Sequence, residues 1–237
     1  MKIALIGYGK MGKAVERIAL RRGHEIVARI DRDNPGDMLT PAFASADVAI
    51  EFTTPPEAVG NYRRAWDAGL PVVSGTTGWT DRMDEVRREI ETRDATLFWA
   101  SNFSLGVNIL FHMNRKLAGI MSRFHAYDVN IKEIHHTEKK DAPSGTAITL
   151  AEDIIASGKK SSWSLSADTP QDTLHIEAVR EGAVPGTHIV TYTSDVDTLT
   201  IAHEAKSRDG FALGAVMAAE FTLGKKGLLG MDDMLKL

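Results

Sequence analysis

Residues 2–12 read Lys2-Ile3-Ala4-Leu5-Ile6-Gly7-Tyr8-Gly9-Lys10-Met11-Gly12. A strand-like apolar run, Ile3 to Ile6, stops at a GxGxxG hexad that opens a helix-like stretch from Gly12 to Arg22. Without Cβ atoms the glycines let the backbone turn tightly and approach a pyrophosphate, whose charge meets the free amides and positive dipole end of the helix. Asp31 closes the next apolar run, Ile26 to Ile30, about 20 residues downstream, where a ribose hydroxyl needs an acceptor. Strand, turn, helix and acid in this order predict a dinucleotide site built from Gly7, Tyr8, Gly9, Lys10, Met11, Gly12 and Asp31. The guanidinium of Arg32 can hold a 2′-phosphate that Asp31 repels, so NAD and NADP both stay open.

The same rhythm continues downstream. Apolar runs at Val48 to Phe52, Val72 to Ser74 and Thr96 to Trp99 alternate with helix-like stretches at Pro56 to Ala68 and Asp81 to Thr92, the pattern of βαβ units and a parallel sheet. After Phe103 the rhythm changes. A helix near Val107 to Met121, an alternating strand Tyr127 to Ile134 and a helix Ala147 to Ala156 lead into a polar loop, Ser157 to Thr173. Three further strand-like runs follow, Leu174 to Val179, Thr187 to Thr193 and Thr198 to Ala205, which reads as an antiparallel or mixed sheet. A helix near Phe211 to Leu223 is apolar around most of its circumference and is expected to be buried. The fold class is therefore α/β: a Rossmann-type doubly wound parallel sheet plus a smaller α+β domain with a mixed sheet. The expected organisation is a dinucleotide-binding domain at 1–104, a substrate-binding and oligomerisation domain at 105–208, and a C-terminal helix and tail, 209–237, returning to the first domain.

Composition removes several function classes. The chain has 237 residues and a formal net charge of −4, with Lys and Arg scattered among Asp and Glu, so neither nucleic acid nor an anionic membrane is an expected partner. It contains no cysteine, which excludes disulfides, thiol nucleophiles and cysteine-ligated metals. No apolar stretch is long enough for a signal-peptide core or a bilayer span, and the expected location is the cytoplasm.

Two turns fall at the carboxyl edge of the first sheet, where open α/β sheets bind ligands: Gly75, Thr76 and Thr77 before Gly78, and Ala100, Ser101, Asn102 and Phe103. Both are candidate cofactor contacts, although the same residue types also make ordinary turns. The densest chemistry lies in Glu133-Ile134-His135-His136-Thr137-Glu138-Lys139-Lys140-Asp141-Ala142-Pro143-Ser144-Gly145-Thr146. In an extended chain His135 and His136 point to opposite faces, which argues for different roles and against a shared metal; no metal site is expected. Imidazole suits proton transfer near neutral pH, and a lysine ammonium can bind a carboxylate or donate a proton. Ser144, Gly145 and Thr146 offer hydroxyls and unpaired helix amides, an anion site, with N-capping as the plainer role for Ser144.

These residues resemble the dihydrodipicolinate reductase family. Its signature HHxxKxDxPSGT is met at His135, His136, Lys139, Asp141, Pro143, Ser144, Gly145 and Thr146. The likeness extends to Gly7–Gly12, to Gly75–Gly78 as GTTG, to 102–108 as NFSxGVN and to the ending 227–235. The glycine loop is one residue shorter than the family's GxxGxMG, and Glu51 stands where the family has Asp. The resemblance implies reduction of 4-hydroxy-tetrahydrodipicolinate, through its dehydrated form, to tetrahydrodipicolinate with NADH or NADPH, in the diaminopimelate and lysine pathway. It further implies catalytic His135 and Lys139, and a cyclic dicarboxylate held by His136, Ser144, Gly145 and Thr146, with Thr77 and Arg208 as further substrate-side expectations. Family members are homotetramers, so the same assembly is expected. The competing readings are a two-domain reductase of another imino or amino acid, of the aspartate dehydrogenase type, and a nucleotide-sensing protein without chemistry. The latter has no use for His135 and Lys139 together.

Overall fold

The computed structural model describes residues 1–207 and 209–236, so the expectation for Arg208 lies outside the described residues. The chain divides into two units, Met1–Leu105 with Asp209–Leu237, and Gly106–Arg208.

The first unit begins β1 (Lys2–Ile6), α1 (Lys10–Arg21), β2 (Glu25–Ile30), a short α2 (Pro41–Ala44), β3 (Val48–Glu51), α3 (Pro55–Asp67), β4 (Val72–Ser74), α4 (Met83–Arg93) and β5 (Thr96–Trp99). Its strands pair in parallel in the order β5-β4-β3-β1-β2. Both faces are covered. Ala4, Ile6, Ala49, Val72 and Leu97 point into a cluster with Tyr62, Trp66, Trp79 and Val86, while Ile3, Leu5, Ile50, Val73 and Phe98 point into the opposite one with Val15 and Ile18. This two-sided burial explains why the strands read as continuous apolar runs. The chain leaves β1 towards β2 on one side and returns to β3 on the other, so the crevice beyond the carboxyl ends of β1 and β3 is the switch point where such sheets take ligands.

The second unit contains α5 (Leu105–Met121), β6 (Asp128–His135), α6 (Gly145–Ala156), β7 (Ser162–Ser164), β8 (Thr173–Arg180), β9 (Thr187–Thr193) and β10 (Thr198–Glu204). Its sheet is mixed, order β10-β9-β6-β8-β7; β6 pairs antiparallel with β9 and parallel with β8. Leu110 and Ala118 of α5 and Leu150 and Ile154 of α6 bury Val129, Ile131, Leu174, Ile176, Val190 and Tyr192. Along β6 the inward positions are Val129, Ile131, Glu133 and His135, so one row starts in the core and ends in charge.

The C-terminal segment, α7 (Asp209–Thr222), β11 (Gly227–Leu229) and α8 (Met231–Leu235), completes the first unit. Small residues of α7, among them Ala212, Ala215, Ala218 and Ala219, are fully buried in the cluster that covers Val73 and Phe98. A Cβ at Gly214 would lie 1.7 Å from the Phe103 carbonyl oxygen, so the helix can seat only without one. Gly214→Ala is therefore expected to destabilise by about 2–3 kcal/mol and to lower Tm by roughly 5–10 °C. A melting curve within a degree of the wild type would show that α7 sits further from the sheet.

Several elements differ from expectation. β11, pairing in parallel with β5, was not foreseen, because Gly227-Leu228-Leu229 is too short and glycine-flanked to show a period. β7 lies inside the expected polar loop, a three-residue strand whose Trp163 packs against the core of the second unit. The region between β2 and β3, for which the sequence suggested no element, holds a 3-10 turn, Pro35–Leu39, and α2, whose Thr40 side chain caps the Phe43 amide. A second 3-10 turn, Thr80–Arg82, delays the start of α4 to Met83.

Candidate active site

At the switch point of the first unit, Gly7 adopts φ +92°, and a Cβ there would stand 2.0 Å from the Phe52 carbonyl oxygen. Gly12 is equally constrained: its Cβ would lie 2.2 Å from the Gly7 oxygen, so its absence lets α1 pack against the turn. Gly9 differs. It has no neighbour within 4 Å of an added Cβ, and as N-cap of α1 it offers no side chain to the first-turn amides. An open glycine facing uncapped amides is the arrangement a pyrophosphate needs, so the residues present fit a dinucleotide. A cavity of about 550 Å³ opens here, lined by Gly7, Gly9, Asp31, Arg32, Thr53 and Arg64 among others.

Asp31 is exposed, its carboxylate accepting the Arg32 amide at 2.9 Å, while its own amide donates to Asn34 Oδ1 at 2.7 Å. Arg32 is exposed and makes no side-chain hydrogen bond among the described residues. Arg29, by contrast, is committed: its Nε donates to Glu16 at 3.0 Å, and the Tyr8 hydroxyl donates to the other Glu16 oxygen. That Arg29 contact holds the Glu16 carboxyl below its usual range. Lys10 is exposed at the start of α1, and Met11 packs partly against the α1-side core.

The two edge turns differ in exposure. Glu51 is fully buried at the end of β3 and accepts hydrogen bonds from Ser74 Oγ at 2.5 Å, Thr76 Oγ1 at 2.9 Å and Thr53 Oγ1. Burial pushes its carboxyl up, against those hydroxyls. Thr76 is buried as well, its carbonyl taking the indole N–H groups of Trp79 and Trp99 at 2.8 and 2.9 Å, whereas Thr77 is exposed. A Cβ on Gly75 would meet the Phe52 ring at 2.1 Å. In the second turn Ala100 and Phe103 are buried, with the Phe103 ring 5.9 Å from that of Phe98, while Ser101 is exposed and Asn102 accepts the Ser104 amide at 2.8 Å. The side chains of Thr76 and Phe103 are thus held within the unit.

In the second unit, strand pairing gathers a compact ionic cluster. Register sets Glu133 opposite His188 of β9 and His135 beside Arg180 of β8. Glu133, with no exposure, accepts the Ser144 amide at 3.1 and 3.0 Å and Arg180 Nη2 at 3.0 Å. His135 Nδ1 lies 3.6 Å and His188 Nε2 3.8 Å from its second oxygen. Burial pushes the Glu133 carboxyl up, but the Ser144 and Arg180 bonds outweigh it and the net direction is down. Burial lowers His135, opposed by Glu133, and lowers His188 to about 4.

Around this cluster stand the signature residues. Lys139 Nζ contacts both Asp141 oxygens at 2.7 Å, and Arg180 Nη2 donates to the Asp141 carbonyl at 2.6 Å, tying the loop to β8. Ser144 caps α6 by accepting the Ala147 amide at 3.2 Å and shares a 3.1 Å bond with His188 Nε2. Gly145 and Thr146 follow as the first residues of α6, Gly145 exposed and Thr146 half-buried. His135 is 7% exposed and faces inward; the half-buried His136 lines a separate cavity of about 480 Å³ with Thr137, Glu138 and Gly182. The sequence reading missed Glu133, Arg180 and His188. Glu133 was detectable by its two-residue spacing from His135; the others arrive through long-range pairing.

A glycine-turn nucleotide site on a doubly wound sheet, together with an acid–base cluster at a helix N-terminus of the other unit, defines a two-domain NAD(P)-dependent oxidoreductase. The comparisons narrow this. The family description "Dihydrodipicolinate reductase, N-terminus" matches residues 1–103 and "Dihydrodipicolinate reductase, C-terminus" residues 106–235. The chain is 48% identical over 236 residues to the 4-hydroxy-tetrahydrodipicolinate reductase of Christiangramia forsetii, covering 99% of this chain and 98% of that protein. It is 34% identical over 253 residues to the enzyme of the same name from Desulfovibrio desulfuricans, covering 95% of each. Among solved structures, the dipicolinate-bound dihydrodipicolinate reductase of Paenisporosarcina sp. TG-14 shares the fold, with a TM-score of 0.77 at 22% identity over 98% of both chains. The chain belongs to the dihydrodipicolinate reductase family.

Proposed function

We propose that His135 and Lys139 are the acid–base pair, and Ser144, Gly145, Thr146 and His136 the dicarboxylate site, of the reaction this family carries out. The chain is an NAD(P)H-dependent oxidoreductase that reduces 4-hydroxy-tetrahydrodipicolinate, through its dehydrated form, to tetrahydrodipicolinate in lysine and diaminopimelate synthesis. Bound NADH or NADPH supplies the hydride. Gly7, Gly9 and the first-turn amides of α1 take the pyrophosphate, and Asp31 the ribose hydroxyls.

The single observation carrying the substrate assignment is the capped start of α6. Ser144 satisfies the Ala147 amide, and its own amide is spent on Glu133, which leaves the Gly145 and Thr146 amides for an incoming carboxylate. A dianion entering a protein of net charge −4 needs such a local concentration of donors to offset its desolvation. Hydride addition leaves negative charge on the ring, and Lys139 Nζ and the His135 imidazole supply the proton that discharges it.

The test offers freshly prepared 4-hydroxy-tetrahydrodipicolinate and follows loss of reduced-nicotinamide absorbance. Turnover of that substrate is expected; turnover of another imino acid alone would transfer the assignment to the aspartate dehydrogenase type. For the cofactor, Arg32→Ala is expected to lower the NADPH-to-NADH affinity ratio by about 10-fold, since one charge-assisted phosphate contact is lost. An unchanged ratio would make Arg32 a bystander. The proposal extends to a cytoplasmic homotetramer, consistent with exposed Leu199 on edge strand β10; none of the described helices is long and apolar enough to cross a membrane. Light scattering giving one subunit mass would contradict the assembly.

A further inference from the structure

Glu133 is the one fully buried carboxylate of the second unit among the described residues, and nothing in the proposed reaction consumes it. Its surroundings are complete on every side. From β6 comes His135, from β8 Arg180, from β9 His188, from the N-cap of α6 Ser144, and from the intervening loop the Lys139–Asp141 pair. One oxygen is occupied by Arg180 and the Ser144 amide. The other shares that amide and is the anionic atom 3.6 Å from His135 Nδ1, a nitrogen that is buried and makes no hydrogen bond. A buried ring nitrogen without a partner is unfavourable as it stands, but it becomes paired when an imidazolium N–H turns towards a carboxylate.

His188 cannot take the same part. Its Nε2 is engaged with Ser144 Oγ, its ring stacks edge-on at 5.1 Å from His135, and it stays neutral through the physiological range because burial holds it near 4. Arg180 fixes Glu133 from the far side and reaches on to the Asp141 carbonyl, so the carboxylate, the loop carrying Lys139 and the start of α6 form one hydrogen-bonded assembly.

We propose that Glu133 is the positioning residue of the reaction: one buried carboxylate both fixes the first turn of α6 that receives the substrate carboxylate and serves as counter-charge to protonated His135. The inference rests on the acid–base role given to His135 above. It separates two functions of one side chain. Holding Ser144 acts on substrate affinity, and facing Nδ1 acts on acid strength. Removing the negative charge leaves His135 among Arg180 and Lys139 with only the more distant Asp141 to oppose them, so the imidazolium becomes harder to keep.

The experiment is the pH profile of kcat/KM for Glu133→Gln and Glu133→Asp with freshly prepared substrate. In E133Q the alkaline limb is expected to move to lower pH by about one unit, with a loss on the order of 10-fold on that limb. E133D, one methylene shorter but still charged, is expected to keep the wild-type limb while KM rises, because the contact to Ser144 is stretched. A limb in E133Q that coincides with the wild type would overturn the proposal, since a merely structural role lowers the whole profile without displacing it. Should E133Q fail to fold, histidine 15N NMR of the unaltered enzyme decides: His135 is expected as the Nδ1–H tautomer when neutral, and an Nε2–H tautomer overturns the pairing. A wild type that does not turn over the substrate at all is a failure of the functional reading, and the NMR measurement still tests the contact on its own.

Discussion

Lys139→Ala is expected to lower kcat by about 10²-fold or more while leaving NADH affinity and Tm nearly unchanged, and His135→Ala to lower kcat by a similar factor with some loss of stability. The contrast follows from their settings. The Lys139 ammonium meets an Asp141 carboxylate whose side chain is 60% exposed, and such solvated pairs contribute little to folding, so its removal is felt in the chemistry alone. His135 is buried against Glu133 and His188, so its removal also opens a cavity. Asp141 is held below its usual range chiefly by Lys139, hence ionised at neutral pH and available to orient the ammonium until a substrate carboxylate competes for it. Wild-type kcat in either variant would remove that residue from the chemistry. A loss of cofactor binding in Lys139→Ala would point instead to a folding defect reaching the other unit.

The second large effect is expected from Gly7→Ala. Its Cβ would stand 2.0 Å from the Phe52 carbonyl oxygen in a backbone with φ +92°, so steric overlap and conformational strain add. Together they amount to about 4 kcal/mol, enough to lower Tm by roughly 10 °C and to abolish measurable NADH binding. Gly9→Ala is the informative partner. With open space around its added Cβ and a φ of −78°, it is expected to fold as the wild type yet to bind both cofactors about 10-fold more weakly, because the methyl occupies the approach of the pyrophosphate. Calorimetry and isothermal titration of the two variants separate the glycine the fold requires from the one the ligand requires. Equal stability of Gly7→Ala and Gly9→Ala would contradict the geometry of the turn.

Much of this fold is written locally. The β1–α1–β2 start is legible because period, glycine spacing and the closing acid agree, and α3 because Pro55-Pro56 opens it and Gly69, at φ +76°, ends it. β11 is not legible, since its pairing with β5 is decided by tertiary packing of a three-residue segment. The site divides the same way. The signature stretch marks itself by chemistry, but Arg180 and His188 reach Glu133 across strands 47 and 55 residues away, visible only once register is known. Glu51 stands where the family has Asp, and the sequence shows nothing of its role; its burial under the hydroxyls of Thr53, Ser74 and Thr76 makes it the organiser of the Gly75–Thr77 turn.

The decisive observation is where the ring carboxylate binds. A crystal structure of the protein with NADH and pyridine-2,6-dicarboxylate is predicted to show one carboxylate within hydrogen-bond distance of the Gly145 and Thr146 amides, with the ring against His135 and Lys139. A ring bound elsewhere, with those amides turned to water, would contradict it.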